Sequence, residues 1–341
     1  MMKKSILSRA LYLLILISLF SCKKEKEVFI TYKPFHGDFI EPTLDELKTF
    51  YDNGYTYVDG DMKIGPLGGV GNLDYLSNLD SVFGSIIIND IPLLTSINGL
   101  NKLKKVGGSL LVSNTKINYS NSLISLESIG GHLFLQNAEV LNQEDNSLGE
   151  LKNVGGEFRI SRNLYNGPNK MPALEFIGGS FSPSGTVYGL NHLKYIQGSL
   201  TLWSIIPKAH EGFRNLERVG ELHIQNSDFL NLDFLNHLKR VDGKLEISYN
   251  ERLVDYSGLD SLQFVGGDFL FRGNTAIITG EIFKSLLEIK GDFILANNKS
   301  TSGFSGFNSL VSSKKISIYD NDFGGVFNAL NSLSSVKGNI S

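Results

Sequence analysis

One phrase of about 23 residues recurs along the 341-residue chain, and it constrains the fold more than any other feature. Each copy has a large apolar residue, leucine three residues later, valine or isoleucine three residues after that, and then glycine with an alternating apolar pair. The copy Leu100–Val112 is followed by Leu123–Leu135, and a later copy runs over Leu259–Phe271. A period of this size, sustained over about 12 copies, predicts a solenoid.

A glycine marks the same point in almost every copy, and successive glycines are mostly separated by 22 to 25 residues. Because glycine has no Cβ, it permits a positive φ or a close approach of two backbones, and either allows a sharp corner before a strand. Only the step between Gly179 and Gly198 is short. The marker glycines are Gly60, Gly84, Gly108, Gly131, Gly156, Gly179, Gly198, Gly220, Gly243, Gly267, Gly291 and Gly338.

The residues after each glycine alternate between apolar and polar, as a half-buried strand requires. In one copy, Leu245 and Ile247 are predicted to face inward, while Lys244 and Glu246 face outward. Stacked copies would pair these strands in a parallel sheet with a spacing of about 4.8 Å. The leucine spacing before the glycine favours a short helical or 3₁₀ turn. The predicted fold class is therefore mainly β, a parallel β-solenoid of about 12 turns of roughly 23 residues.

An asparagine follows most of the predicted strands, at a point where the chain must turn. Its amide can satisfy backbone groups at a buried corner and stack on the amide of the next turn, so we interpret this residue as structural. These asparagines are Asn89, Asn114, Asn137, Asn163, Asn226, Asn250, Asn274, Asn298 and Asn321.

The motif Leu-x-x-[Val/Ile]-x-Gly-x-Φ-x-Φ, in which Φ is apolar, resembles the receptor L-domain repeat, a relative of leucine-rich repeats. The resemblance covers roughly residues 55–341 and implies a solenoid that presents surfaces for binding. Receptor L domains usually have disulfide-rich neighbours. This chain contains one cysteine, which argues against a role as a signalling receptor.

The N-terminus has the pattern of an export signal. Lys3 and Lys4 precede an apolar run from Ala10 to Phe20, which is too short to span a bilayer as a helix. The run ends in Leu19-Phe20-Ser21-Cys22, which resembles the lipobox of bacterial lipoproteins. The resemblance implies that residues 1–21 are a lipoprotein signal peptide and that the mature chain starts at an acylated Cys22.

The lipoprotein resemblance also implies a location. An acylated N-terminus holds a protein stably at a membrane when it carries more than one acyl chain. The aspartate that retains many Gram-negative lipoproteins at the inner membrane does not follow Cys22, so the outer membrane is expected. Acidic residues in the tether, Glu25 and Glu27, point to the cell surface, with the periplasmic face as the alternative.

The rest of the chain divides into three predicted segments. Residues 22–42 form a lipidated tether and linker, and residues 43–54 hold a short capping helix that starts at Thr43 with capping-box spacing. Residues 55–341 form the solenoid. At its C-terminal edge Val336–Ser341 begins another corner and strand, and an open strand edge invites pairing, so self-association there is a possible partner interaction.

Composition and motifs argue against several function classes. The net charge is −3, so there is no basic excess for nucleic-acid binding. The one cysteine excludes intramolecular disulfides and cysteine-based zinc sites, and no pair among the six histidines has metal-ligand spacing. We therefore predict a protein that is not an enzyme and that has no catalytic residue, metal or cofactor.

A β-helix carbohydrate-active enzyme is the main enzymatic alternative, because its coils have a similar period. Such enzymes need clustered carboxylates on neighbouring turns, and Asp268 and Asp292 occupy equivalent outward positions. The same row also contains Lys244 and Lys315. Mixed charges on neighbouring strands favour a solvated charge ladder over a catalytic pair.

The outward face of the sheet is the predicted binding surface. Three apolar residues at its centre fall on consecutive strands, and an exposed contiguous apolar patch usually marks a contact site. The single tryptophan occupies the next outward position along its strand, and tryptophan and arginine are enriched in binding hot spots. The alternative for the apolar residues is a secondary core beneath a loop or the N-terminal linker. The candidate residues are Ile87, Leu111, Phe134, Arg159, Trp203 and His223.

These observations predict a cell-envelope lipoprotein whose solenoid recognises a protein or glycan ligand without catalysis, for adhesion or ligand capture. The ligand itself has no signature in the sequence. Two alternatives remain open at this point: the carbohydrate-active enzyme, and a structural envelope protein that associates with itself.

Overall fold

The molecule is described here by a computed structural model over residues 32–117, 122–135, 148–160, 171–183, 189–203, 211–276, 280–300 and 303–341. The elements below belong to one compact unit, Lys33–Ser341. This unit is a parallel β-solenoid of about 11 turns with a spacing of about 23 residues, which confirms the predicted fold class.

The first of two long ladders, here called the corner ladder, consists of short strands that each pair in parallel with the same residues of the next turn. In most turns the first residue of the strand faces outward and the second is a buried valine or isoleucine. Its two-residue strands are Pro34–Phe35, Tyr57–Val58, Ser81–Val82, Lys105–Val106, Ser128–Ile129, Asn153–Val154, Phe176–Ile177, Arg240–Val241, Phe264–Val265 and Ser335–Val336.

The second ladder, here called the main ladder, carries the longer strands that follow the corner. Four continuous strands belong to both ladders: Tyr195–Trp203, Arg218–Gln225, Glu288–Ala296 and Ser312–Tyr319. The other main-ladder strands are Phe39–Ile40, Met62–Ile64, Ile86–Ile91, Leu110–Thr115, Leu133–Leu135, Phe158–Ile160, Leu245–Ser248 and Phe269–Arg272. Isolated bridges at Phe181 and Ile340 extend the same ladder.

Shorter elements complete the turns. A third ladder in the C-terminal part is formed by Glu281–Ile282, Phe304–Gly306 and Phe327–Ala329, and Lys299–Ser300 pairs with Asp322–Phe323. The predicted 3₁₀ turns are present in several copies. Those in the described residues are Asp74–Leu76, Asn98–Leu100, Glu211–Phe213, Asp233–Leu235 and Ser257–Leu259.

The interior is a continuous apolar column, because the inward residues of each strand stack on those of the next turn. Leu133 and Leu135 are buried, for example, while the residue between them faces out. Towards the C-terminal turns the column becomes aromatic. The rings of Phe283 and Phe307 stack with centroids 4.8 Å apart, and Phe269 packs edge-on against both. The predicted alternation therefore produces the core.

Four of the predicted asparagines form a column along one corner, in which Asn250, Asn274 and Asn298 are buried and Asn321 is half-buried. Oδ1 of Asn274 accepts hydrogen bonds from the backbone N–H and the Nδ2 of Asn250, each at 3.2 Å, and its own Nδ2 donates to the carbonyl of Ile247 at 3.0 Å. The same pattern joins Asn274 to Asn298 and Asn298 to Asn321. The structure thus confirms the predicted role of these amides.

The earlier asparagines act differently. Asn114 and Asn226 adopt left-handed backbone conformations, with φ of 51° and 48°, which asparagine tolerates better than most residues. Asn89 donates to the carboxylate of the next residue. Asn137 and Asn163 lie outside the described residues.

A second column, of side-chain acceptors, runs along the start of the main ladder. Ser109 Oγ accepts the backbone N–H of His132 at 2.9 Å, and His132 Nδ1 accepts the N–H of Glu157 at 2.9 Å. This stacking requires close approach, since a Cβ on Gly131 would lie 2.5 Å from Ser109 Oγ. The glycine is therefore needed for space rather than for a positive φ.

The one α-helix among the described residues, Leu44–Asp52, begins with the predicted capping box. Thr43 Oγ1 accepts the N–H of Glu46 at 3.2 Å, and the Glu46 carboxylate accepts the N–H of Thr43 at 2.7 Å. Leu47 and Phe50 are buried on the inner face of the helix.

The segment predicted as a linker, residues 22–42, already contains strands of the first turn of the solenoid. Pro34–Phe35 pairs with Tyr57–Val58, and Phe39–Ile40 pairs with the strand that starts at Met62. Strands of two residues are too short to produce a periodic signal in the sequence, which explains the difference.

We predict that Asn274→Ala lowers the free energy of unfolding by about 2–4 kcal/mol, because it leaves the buried Asn250 N–H without its acceptor and removes the amide that donates to the Ile247 carbonyl. The measurement is urea unfolding followed by circular dichroism. Asn153→Ala, at an exposed strand position, is the control and should change stability by less than about 0.5 kcal/mol. Equal effects of the two substitutions would contradict the structural role of the column.

Candidate functional site

The strand register brings four of the predicted residues into one row. Ile87 pairs with Leu111, Leu111 with Phe134, and Phe134 with Arg159, each on the next strand of the main ladder. Ile87, Leu111 and Phe134 each occupy the outward position between two buried residues, and Arg159 directly follows the buried Phe158. They form an unbroken strip across four turns, as the spacing predicts.

This strip is apolar at one end and cationic at the other. Ile87, Leu111 and Phe134 are half-buried, because neighbouring side chains in the row cover one another. The guanidinium carbon of Arg159 lies 5.3 Å from the centroid of the Phe134 ring, a cation–π contact. Glu157 accepts from Arg159 Nη2 at 2.6 Å and fixes the guanidinium there.

Trp203 lies on the same face at the end of its strand, and it is 63% exposed. Its Cα pairs with that of Gln225 on the next turn, so an amide side chain lies beside the indole. Three strand steps separate the turn of Phe134 from that of Trp203, a distance of about 14 Å along the solenoid at the usual strand spacing. The face therefore offers two separate contact points.

His223 lies in a network of charged side chains, so it is not a free group on the face that carries Trp203. Its Nε2 lies 3.1 Å from Glu221 Oε2, and its Nδ1 lies 3.8 Å from Glu246 Oε2. The imidazole is 18% exposed. It can donate or accept only in competition with these carboxylates, which limits its use as an independent ligand contact.

Glu246 differs from the expected solvated outward residue, since it is 5% exposed. Lys244 Nζ donates to its Oε2 at 2.6 Å, Ser248 Oγ donates to its Oε1 at 3.1 Å, and Arg272 Nη2 lies 3.6 Å from the same Oε1. Lys244, two residues before Glu246, and Arg272, on the next strand, thus cover the carboxylate. The sequence shows the outward direction of the side chain but not this cover.

The pKa values of the two carboxyl groups follow from these contacts. Burial acts to raise the pKa of Glu246, but the hydrogen bonds and charges of Lys244, Ser248 and Arg272 outweigh it, and its pKa is lowered. The pKa of Glu221 is lowered chiefly by its hydrogen bond with His223. Both groups are held as carboxylates at neutral pH.

Asp268 and Asp292, the pair considered for catalysis, have a structural contact. Asp268 Oδ1 accepts the backbone N–H of Asp292 at 2.8 Å, which is the same acceptor pattern that Ser109 shows in an earlier turn. Lys314 Nζ lies 3.1 Å from Asp292 Oδ1. Asp268, in the row of mixed charges, therefore also caps a backbone N–H of the next turn.

The sequence prediction missed a second outward row, on the corner ladder. In most copies the residue directly before the buried valine or isoleucine faces outward there, and on five consecutive turns it is aromatic or arginine. These residues are Phe176, Tyr195, Arg218, Arg240 and Phe264. Aligning the copies on that valine would have revealed the row.

The lipidation candidate Cys22 and the predicted signal peptide, residues 1–21, lie outside the described residues. Among the helices that the structure describes, none has the length and apolar character needed to cross a bilayer. Within the same residues, no three side chains of histidine, cysteine, aspartate or glutamate are grouped as metal ligands would be.

Comparison with known proteins adds no family. No protein-family model matches the chain, and no curated protein sequence matches it either.

We predict that Glu246→Gln destabilises the protein by about 1–3 kcal/mol at pH 7, because a charged acceptor of two cations is lost. The pKa of Glu246 is lowered in the folded state, so its contribution is present above the ordinary value near 4.5 and is lost as the pH falls through the folded-state pKa. Urea unfolding at pH 7 and pH 3 should therefore show a difference between the two proteins that shrinks in acid.

The exposed Glu251→Gln is the control for this experiment, and at pH 7 it should change the free energy of unfolding by less than about 0.5 kcal/mol. A Glu246→Gln effect of the same size at pH 7 and pH 3 would mean that the carboxylate charge does not stabilise this face.

Proposed function

We propose that the chain is a cell-envelope lipoprotein, held by an acylated Cys22, whose solenoid recognises a protein or glycan ligand without catalysis. The outward face of the main ladder is the contact surface. The observation that carries this proposal is the exposure of Trp203 on the same face as the contiguous row from Ile87 to Arg159.

The chemistry of this face suits recognition. An indole presents an apolar ring face and an N–H donor, so it can stack on a sugar ring or fill an apolar pocket of a protein. Arg159 is already oriented by Glu157 and Phe134, so little side-chain entropy is lost when it meets an acceptor. Strand residues are also held more firmly than loop residues, which favours affinity through preorganisation.

The remaining parts of the proposal come from the two sequence resemblances. The lipobox-like sequence ending in Cys22 supplies the membrane anchor, and the repeat motif places the solenoid near receptor L domains and leucine-rich repeats. The proposed location is the outer membrane, with the solenoid at the cell surface, and the residues after Cys22 support it.

Protease digestion of intact cells tests the location. We expect the full-length protein to be degraded from outside, and Cys22→Ala to lose membrane attachment. Protection of the protein in intact cells, followed by digestion after lysis, would contradict surface exposure and direct the search towards partners within the envelope.

We predict that Phe134→Ala and Trp203→Ala each weaken ligand binding by about tenfold or more, since buried aromatic anchors carry much of a binding energy. Screening immobilised host proteins and glycans with the full-length protein would supply the ligand, and titration of the variants would supply the affinities. Phe83→Ala is a matched control, because Phe83 is 58% exposed but lies outside the main-ladder face. Unchanged affinity in both test variants would reject this face.

Self-association in a structural role is a second candidate, favoured by exposed apolar residues in the C-terminal part. Val326 is 78% exposed and Ile340 is 65% exposed, and Ile340 continues the main ladder through a bridge to Ile316. Exposed apolar residues favour contact with a second copy. Light scattering should then show oligomers that Val326→Lys dissociates, whereas a strict monomer would exclude this role.

A further inference from the structure

The outward row of the corner ladder concentrates aromatic and arginine side chains on five consecutive turns. In register, Phe176 is followed by Tyr195, Arg218, Arg240 and Phe264. The two arginines therefore lie side by side, with an aromatic residue on either flank. This row belongs to a different ladder from the face that carries Phe134 and Trp203.

One carboxylate organises both arginines. Arg218 Nε donates to Asp242 Oδ2 at 2.6 Å, and Arg240 Nε donates to Asp242 Oδ1 at 2.7 Å. The guanidinium carbon of Arg240 also lies 3.8 Å from the centroid of the Phe264 ring. The planes of the two forks are thus fixed before any ligand arrives.

The charges of this group do not cancel. Two guanidiniums face one carboxylate, which leaves one net positive charge among Arg218, Arg240 and Asp242. The hydrogen bonds to Asp242 engage the Nε–H of each arginine, and a guanidinium carries four further N–H donors on its Nη atoms. The Tyr195 phenol interacts with Arg218 as well, but one phenol oxygen cannot match that many donors.

A cavity of about 230 Å³ lies at the aromatic end of the row. Phe176, Tyr195 and Ile196 form its apolar wall, while Gln197, Arg218 and Asp242 form its polar wall. Sites for small organic ligands usually start near 300 Å³, so this cavity suits one ring rather than a large molecule. Its two walls match a ring with an apolar face and a charged substituent.

We propose that this row binds an acidic saccharide, with a sugar ring against Phe176 and Tyr195 and its acid group on Arg218 and Arg240. Aromatic side chains accept the C–H face of a pyranose, and guanidinium forks hold carboxylate or sulfate oxygens with two parallel hydrogen bonds. Gln197 supplies an amide for ring hydroxyls. A neutral sugar lacks the charge, and a simple anion lacks the ring, so each alone binds more weakly.

Calorimetric titration of the full-length protein in detergent tests this site with three oligosaccharides of equal length: a uronate, a sulfated and a neutral one. We expect at least one acidic oligosaccharide to bind at least about tenfold more tightly than the neutral one, since a hydrogen bond to a charged group contributes about that factor. Tighter binding of the uronate or of the sulfated oligosaccharide identifies the acid group, and either result supports the site.

Substitutions locate the binding. Arg218→Gln and Arg240→Gln should each weaken binding of the acidic oligosaccharide by about tenfold or more. Tyr195→Ala should also weaken this binding, without removing a charge. Arg252→Gln removes the same charge from an exposed turn and should leave the affinity unchanged. Thermal melts followed by circular dichroism check that each variant is folded, and Tyr195 is exposed enough to be replaced if an arginine variant fails to fold.

Several results would overturn the proposal. Equal affinity for neutral and acidic oligosaccharides would do so, as would unchanged affinity in the folded arginine variants or equal weakening by Arg252→Gln. Equally tight binding of inorganic sulfate would show a general anion site without a role for the aromatic wall. Trp203→Ala should not affect this binding, so failure here and failure of the main-ladder face are distinguishable.

Discussion

The constraint on which the structure depends is the close stacking of successive turns. Parallel strands about 4.8 Å apart must satisfy the backbone groups of both neighbours, including those at corners where the ladders are interrupted. The solenoid meets this requirement with two columns of side chains. Asn250, Asn274, Asn298 and Asn321 satisfy one corner, and acceptors such as Ser109 and Asp268 satisfy another. Small residues at the glycine positions allow the turns to approach closely enough for these bonds.

The same stacking determines what the outer faces can do. Each turn contributes one outward residue to every row, so functional side chains are presented at fixed steps along the solenoid. Inward residues are restricted to those that fill the core, whereas outward residues vary from turn to turn. The Phe134 and Arg159 contact and the Arg218, Arg240 and Asp242 group both arise from residues on neighbouring strands. Residues that are far apart in the sequence are therefore in contact on the surface.

Much of the fold could be predicted because it repeats. The glycine and leucine spacing gave the register, and the register placed Ile87, Leu111, Phe134 and Arg159 in one row. The first turn was missed because its paired segments, such as Pro34–Phe35, contain two residues and no repeat phrase.

The site was only partly predictable, because its details depend on side chains from several turns. Glu246 has an outward position, yet Lys244 and Arg272 cover it, and periodicity carries no information about such cover. The corner-ladder row was missed for a different reason. Its residues differ in type from turn to turn, so Arg218 and Tyr195 match no residue motif. Only alignment of the copies on the valine or isoleucine that follows puts them in one row.

The central claim is that stacking holds the outward rows rigid before any ligand binds. Amide hydrogen exchange of the full-length protein measures this directly. The account predicts slow exchange, close to the rate set by global unfolding, at the main-ladder amides around Phe134 and at the corner-ladder amides around Arg218. Exchange at these amides as fast as in exposed turns would contradict it, because the strands that carry the candidate side chains would then unfold locally.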